Sequence, residues 1–345
     1  MREALDHNND YMRDAFEHRI DHVYDAFDRK IEYMRVSITD RCNLRCRYCM
    51  PEDLPLISHN DIMRFEEILR LCAITAKIGI NAIKVTGGEP LARKGCVDFI
   101  RKLKSLPGIE HVTLTTNAVL LEPYVNELAE IGLDCVNISL DSLDSDVYKR
   151  LTGRDELDNV LKSLNKALKA GLHVKINCVP LKGVNDVEII PIAQLAERFP
   201  IDVRVIELMP TCSSEKFGRI SGTEIITQLN CEYPDLIPDK TRRGFGPARY
   251  FKSGKLKGSV GIIDAVSNHF CKNCNRVRLT SEGFLKLCLF HDDGVDLRKM
   301  LRNGATDAEI VTAIVDAIYK KPERHYFDDS TGEHGGVKKM SSIGG

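Results

Sequence analysis

The sequence lacks three features: an excess of charge of one sign, a long apolar run and a secretory signal. Its 345 residues carry 49 Lys and Arg against 50 Asp and Glu. Such a balance gives no global basic field, so we expect neither nucleic acid nor a membrane surface as a partner. No apolar run approaches the roughly 18 residues of a membrane-spanning helix. The charged residues 1–19 do not resemble a secretory signal, and we expect a cytoplasmic location.

The twelve cysteines are many for a protein of a reducing compartment, where disulfides are disfavoured. Clustered cysteines in such a chain indicate metal binding. Half of them fall in two tight groups, which are Cys42, Cys46 and Cys49, and Cys271, Cys274 and Cys288. The other six are scattered, and we interpret them as small buried apolar residues.

Six short apolar runs alternate with amphipathic segments along the first part of the chain. The runs are rich in Val and Ile, as buried parallel strands are, and the segments between them show helical spacing. Repeated strand–helix units with right-handed crossovers predict an α/β fold, a partial (β/α)6 TIM-like barrel. The predicted strands are residues 31–38, 82–86, 111–116, 134–140, 173–179 and 201–208, and two of the predicted helices are 61–78 and 157–170.

The barrel pattern divides the chain into three parts. Residues 1–22 form a charged N-terminal extension, which we expect to be helical or disordered. Residues 23–210 carry the predicted barrel. Residues 211–345 break the pattern with several short β-like runs, which we interpret as a separate C-terminal layer that carries the second cysteine group. The last sixteen residues lack any core pattern.

The first cysteine group, Cys42-x3-Cys46-x2-Cys49, follows the first predicted strand. In a barrel, the loops after the strands form the active-site face. Thiolates bind iron–sulfur clusters and zinc alike, but three local ligands leave one iron of a four-iron cubane open to a cofactor or substrate. A structural zinc site is the alternative, although it usually uses paired C-x2-C units. Tyr48 before the last cysteine and the TGGEP turn at residues 86–90 favour the cluster.

The second group has the spacing Cys271-x2-Cys274-x13-Cys288. Taken alone, a C-x2-C pair favours zinc, because zinc ribbons use this unit. A zinc site would need a fourth ligand near Cys288, and His291 is the candidate at that place. The cysteines of this group by themselves therefore leave both zinc and an iron–sulfur cluster open.

The sequence resembles the radical S-adenosylmethionine (SAM) superfamily in its C-x3-C-x-aromatic-C motif and its GGE motif. From about residue 24 onwards it also resembles the molybdenum cofactor biosynthesis protein A family, whose members are GTP 3′,8-cyclases. The motifs that carry this second resemblance are RKIEYMRVSITDRCNLRCRYCMP, VTGGEPLAR, TTNAVLL, NISLDSL, RVIELMP, CKNCNRVRLTSEGFLKLCL and a terminal Gly-Gly. Their number and their order make the resemblance specific.

This resemblance implies a radical SAM lyase with two 4Fe-4S clusters. SAM would bind the open iron of the first cluster and, after one-electron reduction, yield a 5′-deoxyadenosyl radical. The radical would abstract H3′ from GTP, and closure onto C8 would give (8S)-3′,8-cyclo-7,8-dihydroguanosine 5′-triphosphate, the first step of molybdopterin (molybdenum cofactor) biosynthesis. Guanine would bind the open iron of the second cluster, so that the two clusters face each other across the barrel mouth.

The resemblance also assigns residues to each group, position by position. The clusters take Cys42, Cys46 and Cys49, and Cys271, Cys274 and Cys288. The SAM contacts match Tyr48, Gly88, Ser139 and Met209. The GTP contacts match Arg35, Lys84, Thr115, Lys175, Arg276, Val277 and Arg278, with Arg204 as a further candidate. The residues expected to matter for catalysis are Arg35, Gly344 and Gly345, the last two because the Gly-Gly tail would enter the active site.

Four basic residues interrupt otherwise apolar strands, namely Arg35, Lys84, Lys175 and Arg204. An unpaired charge inside a barrel is costly, which favours a role in binding phosphate, a group that guanidinium forks suit. The alternative for each is a rim position or a paired acid. Lys84 stands where many family members have Arg, and Ala82 where some have another basic residue, so we expect weaker phosphate contacts there.

The resemblance further implies an electron donor of the flavodoxin or ferredoxin type, a downstream cyclic pyranopterin monophosphate synthase and a homodimer. Two other functions fit parts of the sequence. A radical SAM enzyme that modifies a peptide would also carry auxiliary cysteines, although more of them after residue 288. A non-enzymatic protein would use both cysteine groups for zinc.

Overall fold

The structure is a computed structural model that describes residues 22–50, 57–210, 214 and 216–326. The N-terminal extension up to residue 21, Cys212 and the Gly344-Gly345 tail lie outside these ranges, so what the sequence predicts for them stays a prediction.

Sixteen strands and ten α-helices lie within the described ranges. The strands are β1 (Val23–Tyr24), β2 (Lys30–Ile31), β3 (Tyr33–Ser37), β4 (Ala82–Thr86), β5 (His111–Thr116), β6 (Cys135–Ser139), β7 (Val174–Cys178), β8 (Leu181–Lys182), β9 (Asp202–Ile206), β10 (Gly218–Arg219), β11 (Ile237–Asp239), β12 (Arg249–Lys252), β13 (Ser259–Ile263), β14 (Arg276–Leu279), β15 (Phe284–Lys286) and β16 (Gly294–Asp296). The helices are α1 (Phe65–Ala76), α2 (Cys96–Lys104), α3 (Val125–Glu130), α4 (Ser145–Thr152), α5 (Leu157–Lys169), α6 (Ile189–Ala193), α7 (Leu195–Arg198), α8 (Gly222–Glu232), α9 (Leu297–Arg302) and α10 (Asp307–Tyr319).

Twelve of the strands form one mostly parallel sheet, in the order β11-β12-β13-β9-β7-β6-β5-β4-β3-β14-β15-β16. The six predicted runs correspond to β3, β4, β5, β6, β7 and β9, and each of these strands pairs in parallel with the next. The predicted α/β fold with a parallel sheet is therefore confirmed.

Side chains alternate between two environments along the parallel strands. In β5, Val112 and Leu114 are fully buried, whereas Thr113 and Thr115 on the opposite face are half-buried. In β3, the neighbours of Arg35 on either side join the apolar core, so Arg35 takes the other face. Because successive side chains point to opposite faces of a strand, one face of the sheet packs on helices and the other carries polar residues.

The helices cover the apolar face of the sheet because each has apolar residues along one side. α1 buries Leu71 and Ile74, and α5 buries Val160 and Leu164. The predicted helices 61–78 and 157–170 are both confirmed. α1 starts later and ends earlier than predicted, and α5 ends one residue earlier. No helix in the described part of the chain is both long and apolar enough to cross a membrane.

The C-terminal strands join the same sheet at both edges of the six predicted strands. β14 pairs in parallel with β3, and β13 pairs in parallel with β9. Beyond them, β15 and β16 extend one edge and β12 and β11 the other, all antiparallel. The expectation of a separate C-terminal layer is therefore wrong. A six-stranded open sheet would leave two edges of unpaired backbone groups, and these strands satisfy them.

A shielded ion pair joins α1 to the C-terminal helix α9. Glu67, which is 8% exposed, accepts hydrogen bonds from Arg302 Nε at 2.9 Å and Nη2 at 3.1 Å. It also accepts the backbone N–H of Arg64 at 2.7 Å. The hydrogen bonds from Arg302 lower the pKa of Glu67 from 4.5 to about 2, with help from Arg64.

We expect Glu67→Gln to destabilise the metal-free protein by on the order of 2 kcal/mol at pH 7. A carboxylate whose folded-state pKa is lowered stabilises above its unfolded pKa. The difference from wild type should therefore shrink as the pH falls from about 4.5 to about 2. Denaturant unfolding at several pH values measures this. Glu66→Gln, at an exposed position of the same helix, is the control. An equal loss in both variants would contradict the ion-pair account.

Candidate active site

A cavity opens on the polar face of the sheet, and all six cysteines of the two predicted groups line it. Loops that follow β3, β4, β5, β6, β7 and β9 form part of its wall. Ligand sites of parallel α/β folds form at this edge, where the carboxyl ends of the strands meet. The other predicted site residues in the wall are Arg35, Tyr48, Lys84, Gly88, Thr115, Ser139, Arg204, Met209, Arg276 and Arg278.

The first cysteine group lies in a compact loop after β3. The backbone N–H groups of Cys49 and Met50 both donate to the carbonyl of Cys46, at 2.9 and 2.8 Å. Cys42 Sγ accepts the backbone N–H of Leu44 at 3.4 Å and Asn117 Nδ2 at 3.6 Å. These bonds close the C-x3-C-x2-C segment on itself and turn its three thiols toward the cavity.

The three thiols of each group fit an iron–sulfur cluster better than a single zinc ion. Ligands at about 2.3 Å from a tetrahedral zinc ion stand only about 3.8 Å apart. Among the described residues, which include all six cysteines, neither cysteine group has its three sulfurs within 4.8 Å of one another. A cubane binds each cysteine through a different iron, so it does not require the sulfurs to be this close. Three thiols in each group therefore fit a 4Fe-4S cluster by the chemistry of the donor set.

Burial raises the pKa of all three thiols in the first group, and neighbouring cysteines raise it further for Cys46 and Cys49. The pKa of Cys46 lies well above its usual range through burial and the neighbouring Cys49. Burial, together with Cys42, raises the pKa of Cys49 to about 12. Three thiolates side by side in this loop are thus disfavoured without a cation. Iron supplies that positive charge, so iron binding and thiol deprotonation are coupled here.

The glycine turn after β4 packs directly against the first cysteine loop. Gly88 and Glu89 donate their backbone N–H groups to the carbonyls of Thr39 and Arg41, each at 2.7 Å. A Cβ on Gly87 would come within 2.7 Å of the Thr39 carbonyl oxygen, and one on Gly88 would overlap the Arg41 carbonyl. The missing side chains therefore let the turn approach the cysteine loop.

Tyr48 is held in place by a buried acid. Its hydroxyl donates to Asp141 Oδ2 at 2.7 Å, and Asp141 Oδ1 accepts the backbone N–H of Val179 at 2.9 Å. Burial raises the pKa of Asp141 to about 6. Ser139 and Met209 line the same cavity. The structure thus brings all four residues that match SAM contacts to one place.

Like charges lie side by side on neighbouring strands. The pairing of β14, β3 and β4 puts Arg278 beside Arg35, and Arg35 beside Lys84. Adjacent strands lie about 4.8 Å apart, so these cations form a row across the sheet. Burial lowers the pKa of each of the three, and neighbouring cations lower it further. Such a row is unfavourable alone and favourable opposite a polyanion.

Two of the predicted substrate residues lie away from the wall of this cavity. Val277 is fully buried in the apolar core, because the arginines before and after it take the cavity face. Lys175 pairs with Asp202 at 3.2 Å and lines an adjoining cavity. For Lys175 the alternative explanation therefore holds, in which a basic residue on a strand pairs with an acid. Lys84 differs, since its ammonium has no hydrogen-bond or ion-pair partner in the part of the chain that the structure describes.

The second cysteine group assembles around the β14–β15 hairpin. Cys271 and Cys274 lie in the turn before β14, where the Cys274 N–H donates to the Cys271 carbonyl at 3.1 Å. The hairpin pairs Arg278 with Lys286, and continuing this register brings Cys288 back to the start of β14. The long spacing between the second and third cysteines is therefore the length of one hairpin.

A buried lysine accompanies the second group. Lys321 is 2% exposed and donates to the carbonyl of Leu287, the residue before Cys288. Burial raises the pKa of Cys274, but Lys321 and Arg276 outweigh it and bring this pKa to about 7. Nearby cations thus favour the thiolate that a metal requires.

Histidines near the second group are arranged differently from the predicted zinc site. His291 contacts the carbonyl of Arg324 at 3.1 Å and is not part of the cavity wall. Within the described ranges, the one compact set of possible metal ligands combines Cys271 with His269 and His325. A fourth zinc ligand at His291 therefore has no support from the geometry.

Sequence patterns did not identify some of the residues that shape the site. Glu89 is fully buried and accepts Thr116 Oγ1 at 2.8 Å and the backbone N–H of Asn117 at 2.7 Å. Burial raises its pKa to about 7. The quoted motifs contain all three residues, but pairing them requires the fold. Lys321 and His325 follow the last helix in a segment without any motif.

Known families and proteins account for most of the chain. Residues 36–196 match the Radical SAM superfamily, and residues 201–327 match Molybdenum Cofactor Synthesis C. The GTP 3′,8-cyclase of Clostridium perfringens (strain SM101) is 46% identical over 296 residues, which are 86% of this chain and 92% of that protein. The GTP 3′,8-cyclase of Heliobacterium modesticaldum is 46% identical over 321 residues, 91% and 97% of the two chains. This chain belongs to the GTP 3′,8-cyclase family.

Membership of the radical SAM superfamily implies a 4Fe-4S cluster and SAM as cofactors. Among solved structures, Streptococcus suis SuiB aligns with a TM-score of 0.61 at 15% identity, over 86% of this chain and 68% of SuiB. Its complex with S-adenosylmethionine aligns with the same TM-score at 16% identity, over 87% and 76%. At such identity the likeness shows the fold alone and does not decide the substrate.

We expect Gly88→Ala to lose iron from the first cysteine group, because a Cβ there would displace the loop at Arg41. Iron content after anaerobic reconstitution should fall by about half, since a cubane holds four of about eight irons. Gly132→Ala is the control, because an alanine would be strained at the φ of 73° that this glycine adopts, but nothing lies within 4 Å of the added Cβ. That variant should lose stability and keep its iron. A full complement of iron in Gly88→Ala would overturn this assignment.

Proposed function

We propose that this chain binds GTP beside SAM in the cavity and converts GTP into (8S)-3′,8-cyclo-7,8-dihydroguanosine 5′-triphosphate, the first step of molybdenum cofactor biosynthesis. One observation carries the proposal: two cysteine groups and a row of cations line one cavity in a chain that is 46% identical to named GTP 3′,8-cyclases. The cysteines fit clusters, and the cations fit a triphosphate.

The two cysteine groups flank one pair of parallel strands. The first follows the carboxyl end of β3, and the second precedes the amino end of β14. A strand of five residues spans roughly 15 Å at about 3.3 Å per residue. Arg35, Lys84 and Arg278 lie at one level across the strands, between the two ends of this span, so a nucleotide held by these cations would lie between the two groups. This refines the expectation that the clusters face each other.

SAM bound at the first cluster would supply a 5′-deoxyadenosyl radical, and the chain's own residues would position both partners for it. Tyr48, with its ring orientation fixed by Asp141, would place SAM beside the cysteines. The cations would anchor the triphosphate and so orient the ribose C3′–H toward SAM. Ser139, Gly88 and Met209 are the further proposed SAM contacts.

Unsatisfied donors support an anionic ligand. Arg204 Nε and Arg276 Nε are buried, and neither has a hydrogen-bond partner among the described residues. Arg204 is only 6% exposed. Its Nη2 donates to Asn137 Oδ1 at 2.5 Å, so only part of the guanidinium is satisfied. A buried guanidinium N–H without an acceptor is costly, and phosphate oxygens would satisfy it. We therefore propose Arg204 with Arg35, Lys84, Thr115, Arg276 and Arg278 as the GTP contacts.

The same residues support a curved sheet, as in the predicted partial barrel. Arg35 on β3 and Arg204 on β9 are separated by four intervening strands. In a flat sheet this separation would be roughly 24 Å. Yet both side chains line the same cavity, and the charge of Arg204 lowers the pKa of Arg35 after the larger effect of burial. We propose that β3 to β9 curve into a partial (β/α)6 barrel.

Further parts of the proposal come from the family resemblance. The C-terminal region, residues 211–345, would hold a second 4Fe-4S cluster on Cys271, Cys274 and Cys288, beside the barrel region 23–210. Val277 would act through its backbone, and Lys175 from the adjoining cavity. The Gly344-Gly345 tail, a flavodoxin or ferredoxin donor, a homodimer and transfer of the product to cyclic pyranopterin monophosphate synthase stay predictions.

Anaerobic incubation with SAM, GTP and dithionite tests the proposed reaction. We expect 5′-deoxyadenosine and a cyclised guanosine nucleotide in similar amounts. Cys42→Ser should lose both products, whereas Cys271→Ser should retain SAM cleavage and lose cyclisation. Cys231 is exposed, so the expectation that the scattered cysteines are buried is wrong for this residue, and Cys231→Ser is the matched control that should retain both products. Formation of 5′-deoxyadenosine by wild type without cyclised nucleotide would contradict the substrate.

Lys84 and Lys175 should respond in opposite ways to replacement by methionine. Lys84→Met removes a like charge that has no partner, so the metal-free protein should melt higher while the KM for GTP rises roughly tenfold. Lys175→Met leaves Asp202 without its lysine partner, so that variant should melt lower. Thermal unfolding and steady-state kinetics measure both effects, and Lys84→Arg should restore GTP binding. A lower melting temperature with unchanged KM in Lys84→Met would refute the phosphate role.

A further inference from the structure

Arg29 lies in the N-terminal hairpin of β1 and β2, shortly before β3. It is not among the predicted site residues. It is 6% exposed, and its partner Asp25 is 3% exposed. Arg29 Nε donates to Asp25 Oδ2 at 2.6 Å. Asp25 Oδ1 also accepts the backbone N–H groups of Phe27 and Arg29, at 3.0 and 3.1 Å. Asp25 therefore shapes the hairpin loop and fixes the orientation of the guanidinium.

The remaining nitrogens of Arg29 reach two distant segments of the chain. Nη1 donates to the carbonyl of Cys271 at 2.9 Å and to that of Glu323 at 2.7 Å. Nη2 donates to the carbonyl of Pro322 at 2.7 Å. These partners lie more than 240 residues away in sequence. One guanidinium thus joins the hairpin, the second cysteine loop and the segment 321–326.

The segment 321–326 is itself built onto the second cysteine group. Lys321 donates to the carbonyl of Leu287, next to Cys288. The backbone of His325 hydrogen-bonds the sulfur of Cys271. Arg29 binds the carbonyls of Pro322 and Glu323, two of the three residues between these contacts. The segment is therefore tied to Cys271 and to the residue before Cys288, with Arg29 bound at its middle.

We propose that Arg29 is a positioning residue for the second cysteine group, which keeps Cys271 and segment 321–326 in the arrangement that accepts a cluster. The inference rests on the proposed function, because it takes the second group to hold a cluster. A planar guanidinium can serve an acid and three carbonyls at once, whereas a lysine ammonium has three donors and no fork. Hydrogen bonds around the sulfurs and the net charge nearby tune a cluster's potential.

Arg29→Met tests the inference in the reconstituted full-length protein. We expect the electron paramagnetic resonance signal and the midpoint potential of the second cluster to change, while the SAM-sensitive signal of the first cluster stays as in wild type. Hydrogen exchange in peptides covering 271–274 and 321–326 should accelerate, and the KM for GTP should rise more than kcat falls. Arg29→Lys should restore these properties only in part, and Asp25→Asn should show a milder form of the same changes.

Arg302→Met is the matched control for a general loss of stability. Arg302 also ties the C-terminal region to the first part of the chain, through Glu67, but it does not line the cavity. That variant should melt lower and keep the signals of both clusters. If Arg29→Met folds poorly, Arg29→Lys and Asp25→Asn carry the comparison at equal melting temperature.

The outcomes separate this inference from the proposed function. A second-cluster signal that is unchanged in Arg29→Met, or that changes equally in Arg302→Met, would overturn the positioning role and leave the proposed function intact. A wild-type protein with four irons and no second-cluster signal would overturn both.

Discussion

The parallel pairing of β14 with β3 is the constraint on which the site depends. It joins the C-terminal region to the first strand of the six-stranded series and puts Arg278 beside Arg35. It also sets the turn of Cys271 and Cys274 at one end of this strand pair, while the Cys42 loop follows the other end. Without the pairing, the cations and the two cysteine groups would lie on separate surfaces. The site is therefore a property of the whole fold and not of either region.

Two sets of side chains in the cavity would carry like charges close together, the first cysteines as thiolates and the row of cations. Each set is stabilised by a ligand of opposite charge. The first cysteines are crowded thiols whose pKa is raised by burial, and iron would neutralise their thiolates. The row from Arg278 to Lys84 is crowded positive charge, and a triphosphate would neutralise it. Empty, both arrangements are unfavourable. Loaded, they hold two partners at a distance set by the strands between them.

Sequence patterns predicted the features that depend on neighbouring residues. The Val- and Ile-rich runs located the six consecutive parallel strands from β3 to β9, and the cysteine spacing located both groups, because strand periodicity and ligand spacing are local. The long gap before Cys288 was visible as a spacing, but its cause, the β14–β15 hairpin, was not.

Features that depend on distant residues could not be predicted in the same way. Pairing of the C-terminal strands with both sheet edges carries no local signal, so a separate layer was expected instead. Lys175 resembled Lys84 in sequence, and only the fold gives Lys175 the partner Asp202. The role proposed for Arg29 likewise depends on carbonyls more than 240 residues away in sequence.

The central claim is that SAM and the ribose of GTP meet between the two cysteine groups. GTP carrying deuterium at C3′ tests it most directly, with mass spectrometry of the 5′-deoxyadenosine formed under anaerobic turnover. The account predicts that deuterium appears in 5′-deoxyadenosine together with a cyclised nucleotide. Unlabelled 5′-deoxyadenosine formed while GTP is cyclised would contradict it, because the hydrogen would then have come from somewhere other than C3′.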